Sequence, residues 1–228
     1  MKKLVIVIII LLLILIGMII YKNTVIKANN QVSVQDVEKI ETYITKIYMW
    51  KEVTGEALPI FENINDASDM WVWEAVKKNL ENYELTYDEI QDKARELFGQ
   101  DFTKEFPKEG TENFTYEKET NKYYATGMGL DQEEDCFLLN EIKKTENGYE
   151  VEIVEYLEDY SQETVETDES VSIAIKNLND EEIAKVQEEQ ESSSKDIVKE
   201  NIDEFTKKIV TLKQEGDNLY VQKVSNKM

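Results

Sequence analysis

Thr86-Tyr87-Asp88-Glu89-Ile90-Gln91-Asp92-Lys93-Ala94-Arg95-Glu96-Leu97-Phe98-Gly99 is the stretch on which the fold turns. It opens with a Thr-x-x-Glu capping box, in which the threonine and the glutamate three residues on take up backbone N–H groups that a helix start leaves unpaired. Ile90, Ala94, Leu97 and Phe98 then recur at three and four, forming one helical face, and Gly99 ends the helix. After Gly99 the period changes to two. Phe114 and Tyr116, a turn at Thr120-Asn121, and Tyr123, Tyr124 and Ala125 spell a hairpin.

Towards the N-terminus the pattern stays helical. Ser33 with Asp36 makes a capping-box-like start, followed by Val37, Ile40, Ile44, Ile47 and Tyr48 on one face, with Gly55 as the stop. Pro59 discourages helix, Asp66 is a candidate cap, and Met70, Trp73, Val76 and Leu80 form a second stripe with Trp71 on a neighbouring face. Towards the C-terminus the pattern is strand-like. Cys136-Phe137-Leu138-Leu139 follows the break at Gly127-Met128-Gly129, and Asn147-Gly148 is a type I′ turn signal leading into Tyr149, Val151 and Ile153. The alternation changes phase at Ile153-Val154, where a bulge is expected. Val171 to Ile175 reads as a short strand, Asn179 to Val186 as a helix, and Ser192 to Ser194 as a mobile surface segment. Phe205, Ile209 and Leu212, a turn at Glu215-Gly216-Asp217-Asn218, and Leu219, Val221 and Val224 make a terminal hairpin on the same sheet. Helices first and adjacent strands later is the α+β pattern, with about three helices on one antiparallel sheet.

Ahead of this body lies Leu4 to Ile20, seventeen residues of Leu, Ile, Val and Met interrupted only by Gly17. As a helix it is about 26 Å long, close to the hydrocarbon thickness of a bilayer. It exceeds the apolar core of a cleaved signal, and Ile26-Lys27-Ala28 is a poor cleavage site, so residues 1–21 read as a transmembrane signal anchor and residues 22–32 as a stalk. Cys136 lies far from the run, which excludes a lipoprotein anchor. Lys2 and Lys3 in front of it favour a cytoplasmic N-terminus and an extracytoplasmic domain over residues 33–228 at the cell membrane, single-pass.

The four lysines of the first thirty residues leave 22 bases against 48 acids in the rest, a net charge of −26. Such a field repels phosphate backbones and anionic headgroups, which argues against nucleic acid and against a second, surface-type membrane contact. One cysteine cannot make an internal disulfide, so packing alone must hold the fold. There is no histidine, which removes Ser-His-Asp and Cys-His catalysis, imidazole-ligated metals and haem attachment. No cofactor is expected.

Three segments, Thr86 to Gly99, Tyr116 to Gly129 and Asp203 to Tyr220, together resemble a pattern of uncharacterised, membrane-anchored extracytoplasmic envelope proteins of Gram-positive bacteria. The resemblance covers about half of the chain. It implies helices against an antiparallel sheet, a cystatin-like or NTF2-like ectodomain, and carries over no catalytic residue. The acidic segment 161–200, with ten acids and two bases between residues 161 and 191, reads as a partly mobile insertion in the domain and lies outside the resemblance.

Among candidate chemistries, Asp131-Gln132-Glu133-Glu134-Asp135 offers calcium oxygen ligands, without the spacing or central glycine of an EF-hand. A carboxylate pair as acid and base would make a cell-wall glycoside hydrolase, although 48 acids bring two together in almost any fold. Gly127-x-Gly129 is too short for a phosphate loop. Cys136, beside Phe137 and Leu138, reads as a small buried apolar residue. Trp71, Tyr123 and Tyr124 are the candidate partner-binding surface. The expected function is a membrane-anchored binding module for another envelope protein or wall component, held in the lipid bilayer through residues 4–20. The alternatives are the hydrolase and a calcium-responsive surface module.

Overall fold

The computed structural model describes residues 32–82, 84–112, 114–125, 133–160, 172–187 and 194–227. Helix α1 (Val34–Ile47) begins as its sequence implies. The Ser33 hydroxyl accepts the Asp36 N–H, and the Asp36 carboxylate accepts the Ser33 N–H, both at 3.0 Å. Ile40, Tyr43, Ile44 and Ile47 form its buried face. The helix stops at Ile47 rather than at Gly55. Tyr48 turns extended so that its hydroxyl reaches the Cys136 carbonyl at 2.9 Å, and the Met49 N–H donates to the Ala57 carbonyl. Gly55, with a positive φ of 82°, closes the single turn α2 (Lys51–Thr54) instead.

Asp66 ends a 3-10 turn (Ile64–Asp66), and the cap of α3 (Asp69–Lys78) is Ser68, whose hydroxyl accepts the Trp71 N–H at 3.3 Å. An N-cap side chain reaches only the second or third helical N–H, and Asp66 precedes the helix by too much. Every residue from Trp71 to Lys77 is buried, because α3 is packed against α1, α2 and a later helix at once. That helix is α4 (Tyr87–Phe98), preceded by strand β1 (Glu84–Leu85). Its box forms as expected, with Thr86 accepting the Glu89 N–H, Glu89 accepting the Thr86 N–H, and Gly99 as C-cap.

The hairpin at residues 114–125 is also present, yet it stands in a sheet of its own. Strands β2 (Gly110–Thr111), β3 (Phe114–Glu117) and β4 (Lys122–Ala125) join β1 in the antiparallel order β1-β4-β3-β2. Asn121 takes a left-handed φ of 56° in the β3–β4 turn and accepts the Tyr116 hydroxyl at 2.8 Å. The larger sheet comprises β5 (Glu133–Lys144), β6 (Gly148–Asp159), β7 (Ser172–Lys176), β8 (Glu182–Gln187), β9 (Thr206–Glu215) and β10 (Asn218–Asn226), all antiparallel. Strand β6 is its spine. One edge pairs with β5 along its length, and the other pairs with β9 over residues 148–155 and with β7 over residues 157–159.

Three local expectations are corrected here. Neither Glu146 nor Asn147 is left-handed, so the β5–β6 turn is not type I′. Gly148 is needed for a different reason: a Cβ there would lie 2.1 Å from the Leu212 carbonyl oxygen of the adjacent strand. Strand β6 carries no bulge at Ile153-Val154. The register slips in its partner, between Leu139 and Glu141, and Val154 is buried because the far face of the sheet is covered too. Residues 182–187 form β8 in place of a helix. Asn177 accepts the N–H groups of Asn179 and Glu181, Asp180 is left-handed at φ 62°, and this tight turn sends the chain back along β7.

Two apolar clusters follow. The main one joins α1, α3 and α4 to the small sheet and to one face of the large sheet through Tyr149, Val151, Ile153, Val210 and Leu212. The second lies on the far face, where α5 (Ser194–Glu200) and a 3-10 turn (Ile202–Glu204) cover Leu138, Val154 and Tyr156 with Val198 and Phe205. No helix of the described residues is long and apolar enough to cross a membrane, and the Leu4–Ile20 run lies outside the described residues.

Candidate functional site

The three aromatic candidates do not meet at a surface. Trp71 is fully buried between Phe61 and Phe98, with its indole N–H donated to the Ala57 carbonyl at 3.2 Å. Tyr123 is 3 % exposed, its ring against Phe106 and its hydroxyl on the Lys108 carbonyl at 2.8 Å. Only Tyr124 reaches the outside, in a shallow hollow with Asn82, Glu84 and Lys122. Consecutive strand residues face opposite ways, so the alternation itself forbids Tyr123 and Tyr124 from sharing one surface.

Within the acidic run, Asp131 and Gln132 lie outside the described residues, and the Asp135 carboxylate accepts the Lys51 N–H at 2.6 Å. Glu134, Cys136 and Glu158 do come together, their donor atoms within 4.8 Å of one another across the β5–β6 pair. Burial, reinforced by the Glu158 and Glu134 charges, pushes the Cys136 thiol well above its ordinary range, so it stays protonated. Glu158 accepts the Tyr160 hydroxyl at 2.6 Å.

The four buried acids of the described residues each sit on a lysine. Glu74 meets Lys77 at 2.8 Å, Glu152 meets Lys227 at 2.5 Å, Glu155 meets Lys208 at 2.9 Å and Asp159 meets Lys176 at 2.6 Å. A glycosidase needs two carboxyls facing one bond, and each of these four faces an ammonium.

A site with room for a ligand occurs where α1, α4 and the start of β10 meet. It is a groove of about 670 Å³. The outward stripe of α1 supplies Gln35, Glu38, Lys39, Thr42 and Lys46. The end of α4 supplies Lys93, Arg95, Glu96 and Leu97, Gln100 follows its C-cap, and the β9–β10 turn with its following strand supplies Asp217, Asn218, Leu219 and Tyr220. Tyr43 is the floor. Its hydroxyl donates to the Leu97 carbonyl at 3.2 Å and accepts the Val221 N–H at 2.8 Å, tying all three walls through one buried atom. Burial pushes the Tyr43 phenol far up, so it remains a neutral donor. Gly99 fits the corner, since its φ is +89° and a Cβ would meet the Tyr220 ring at 2.9 Å.

The rim carries both signs of charge. Lys39 lies 4.0 Å from Asp217, and Lys93 is 3.0 Å from Glu96. Lys46 is exposed in the last turn of α1, where it complements the negative helix end, and Asn79 donates to its carbonyl at 2.8 Å. These rim residues belong to polar helix faces that look like ordinary solvated surface in sequence, and α1 and β10 are separated by more than a hundred residues. No family model matches the chain, and no curated protein or solved structure matches it, so its functional reading rests on these residues alone.

Proposed function

We propose that this chain is a binding module of the cell envelope, held in the membrane by residues 4–20 and displaying its groove outside the cytoplasm. The observation that carries this is the groove itself. Its walls are fixed by the Tyr43 hydroxyl, while its charged rim is left open to solvent. A preformed polar cleft loses little freedom when a ligand enters, which is the property a binding surface needs. The layering of α1, α3 and α4 over one face of the large sheet supports a likeness to cystatin-like or NTF2-like ectodomains. Zymography on purified wall material with the full chain in neutral detergent is the test. No sugar release is expected, and release that disappears on a single Glu or Asp to Ala change would replace the binding module with an enzyme.

A further inference from the structure

We infer that Asn147 is a site of spontaneous, irreversible modification at the head of the large sheet's central strand, where it converts through a cyclic imide to aspartate and isoaspartate. Asn147-Gly148 is the single Asn-Gly pair of the chain. It does not serve as the type I′ turn its sequence suggests, since Asn147 is not left-handed. Glycine sets no side chain over its own amide nitrogen, so that nitrogen is free to reach the side-chain carbon of the residue before it. Asn147 is exposed in the β5–β6 turn, and its side chain makes no hydrogen bond to a described residue. By contrast, the side chains of Asn63, Asn65, Asn79, Asn140, Asn177 and Asn201 are each held by hydrogen bonds, and each of these asparagines is followed by a residue with a bulky side chain.

The chemistry needs water and nothing else. The Gly148 amide nitrogen attacks Cγ of Asn147 and closes the imide ring, and the amide proton leaves with the side-chain nitrogen as ammonia. Water then opens the ring at either carbonyl. Breaking the bond from Cγ to nitrogen gives aspartate, and breaking the original main-chain bond gives isoaspartate, whose main chain runs through Cβ and Cγ. Both products carry an added negative charge.

The fold makes the second product consequential. The Asn147 carbonyl accepts the Gln214 N–H at 2.8 Å, and the Thr145 N–H donates to the Gly148 carbonyl at 2.9 Å. Gly148 is buried, and a single added carbon there would lie 2.1 Å from the Leu212 carbonyl oxygen and 2.9 Å from the Gln214 nitrogen. Isoaspartate inserts a carbon into the main chain next to this spot and turns the bonded carbonyl into a free carboxylate. Strand β6 pairs with β5 on one side and β9 on the other, so the register of three strands begins here. Isoaspartate at position 147 therefore parts β9 from the head of β6, whereas aspartate leaves the main chain as it was.

The test ages the full chain in neutral detergent at mildly alkaline pH and follows it by peptide mapping with mass spectrometry, with isoaspartate labelled by a protein isoaspartate methyltransferase. A mass gain of about 1 Da is expected on the peptide carrying Asn147, about tenfold faster than at any other asparagine. Aged chains melt lower and lose amide protection in β9 in proportion to their isoaspartate content. Asn147→Gln abolishes both the mass gain and the decline. Freshly prepared Asn147→Asp, which has the charge without the added main-chain atom, melts close to the native chain. Three results overturn the proposal: Asn147 intact in the folded chain while a free peptide of residues 143–152 converts, isoaspartate present with melting and protection unchanged, or fresh Asn147→Asp melting as low as the aged chain.

Discussion

Glu155 is fully buried, and its carboxylate lies 2.9 Å from Lys208, which also donates to the Leu58 carbonyl at 2.6 Å. Burial raises the carboxyl above its ordinary range, and the Lys208 charge only partly offsets that. Lys208→Met strands the acid in the core and should cost about 3 to 5 kcal/mol near neutral pH, measured by urea denaturation. A carboxyl whose folded pKa lies above its unfolded value binds more protons when folded, so it lowers stability as pH rises through that window. The gap between Lys208→Met and the native chain should therefore narrow as the buffer is acidified. Replacing both partners, with Glu155→Leu added, should recover most of the loss, because two apolar side chains leave no uncompensated charge. Cys136 gives a second check at this scale. Its thiol holds its proton through burial and the neighbouring Glu158 and Glu134, so alkylation by iodoacetamide at about pH 8 should run more than tenfold slower than that of a small free thiol.

Helix α4 was legible from end to end, because a capping box and a terminal glycine are local signals and the structure uses both. Thr86→Ala should cost about 1 kcal/mol in a chemical melt, the usual cost of losing an N-cap hydroxyl. Gly148→Ala should cost more than a cap, since the added carbon meets the Leu212 carbonyl oxygen and two paired strands must part to admit it; a lower Tm with weaker amide protection in β9 is the expected outcome. Where pairing across the fold overrides local preference, the sequence misleads. Residues 182–187 have the acids and spacing of a helix start, yet the Asn177 turn delivers them to β7 as a strand. Helix α5 was missed because its seven residues are too few to show a period, and only Ile197 and Val198 mark its face. The break after Ile47 exists for contacts with Ala57 and Cys136, which nothing near Tyr48 in sequence announces.

Over the whole molecule, the α+β class followed from the order of periods along the chain, and the division into two sheets did not, since it depends on β1 reaching across to β4. The groove was hidden for the same reason: Tyr43, Leu97 and Val221 become one site only when α1, α4 and β10 pack together. Tyr43→Phe should leave the core volume intact while unpairing the Val221 N–H and the Leu97 carbonyl, lowering stability by about 1 to 3 kcal/mol and loosening the groove together with it. The acidic body and the basic tip before Leu4 are consistent with a tether whose domain lies beyond the membrane. Protease added to intact cells tests that arrangement most directly. The outcome expected is loss of the domain from unbroken cells, with a short N-terminal fragment left in the membrane fraction; full-length chain that survives on intact cells and is cut only after lysis would contradict it.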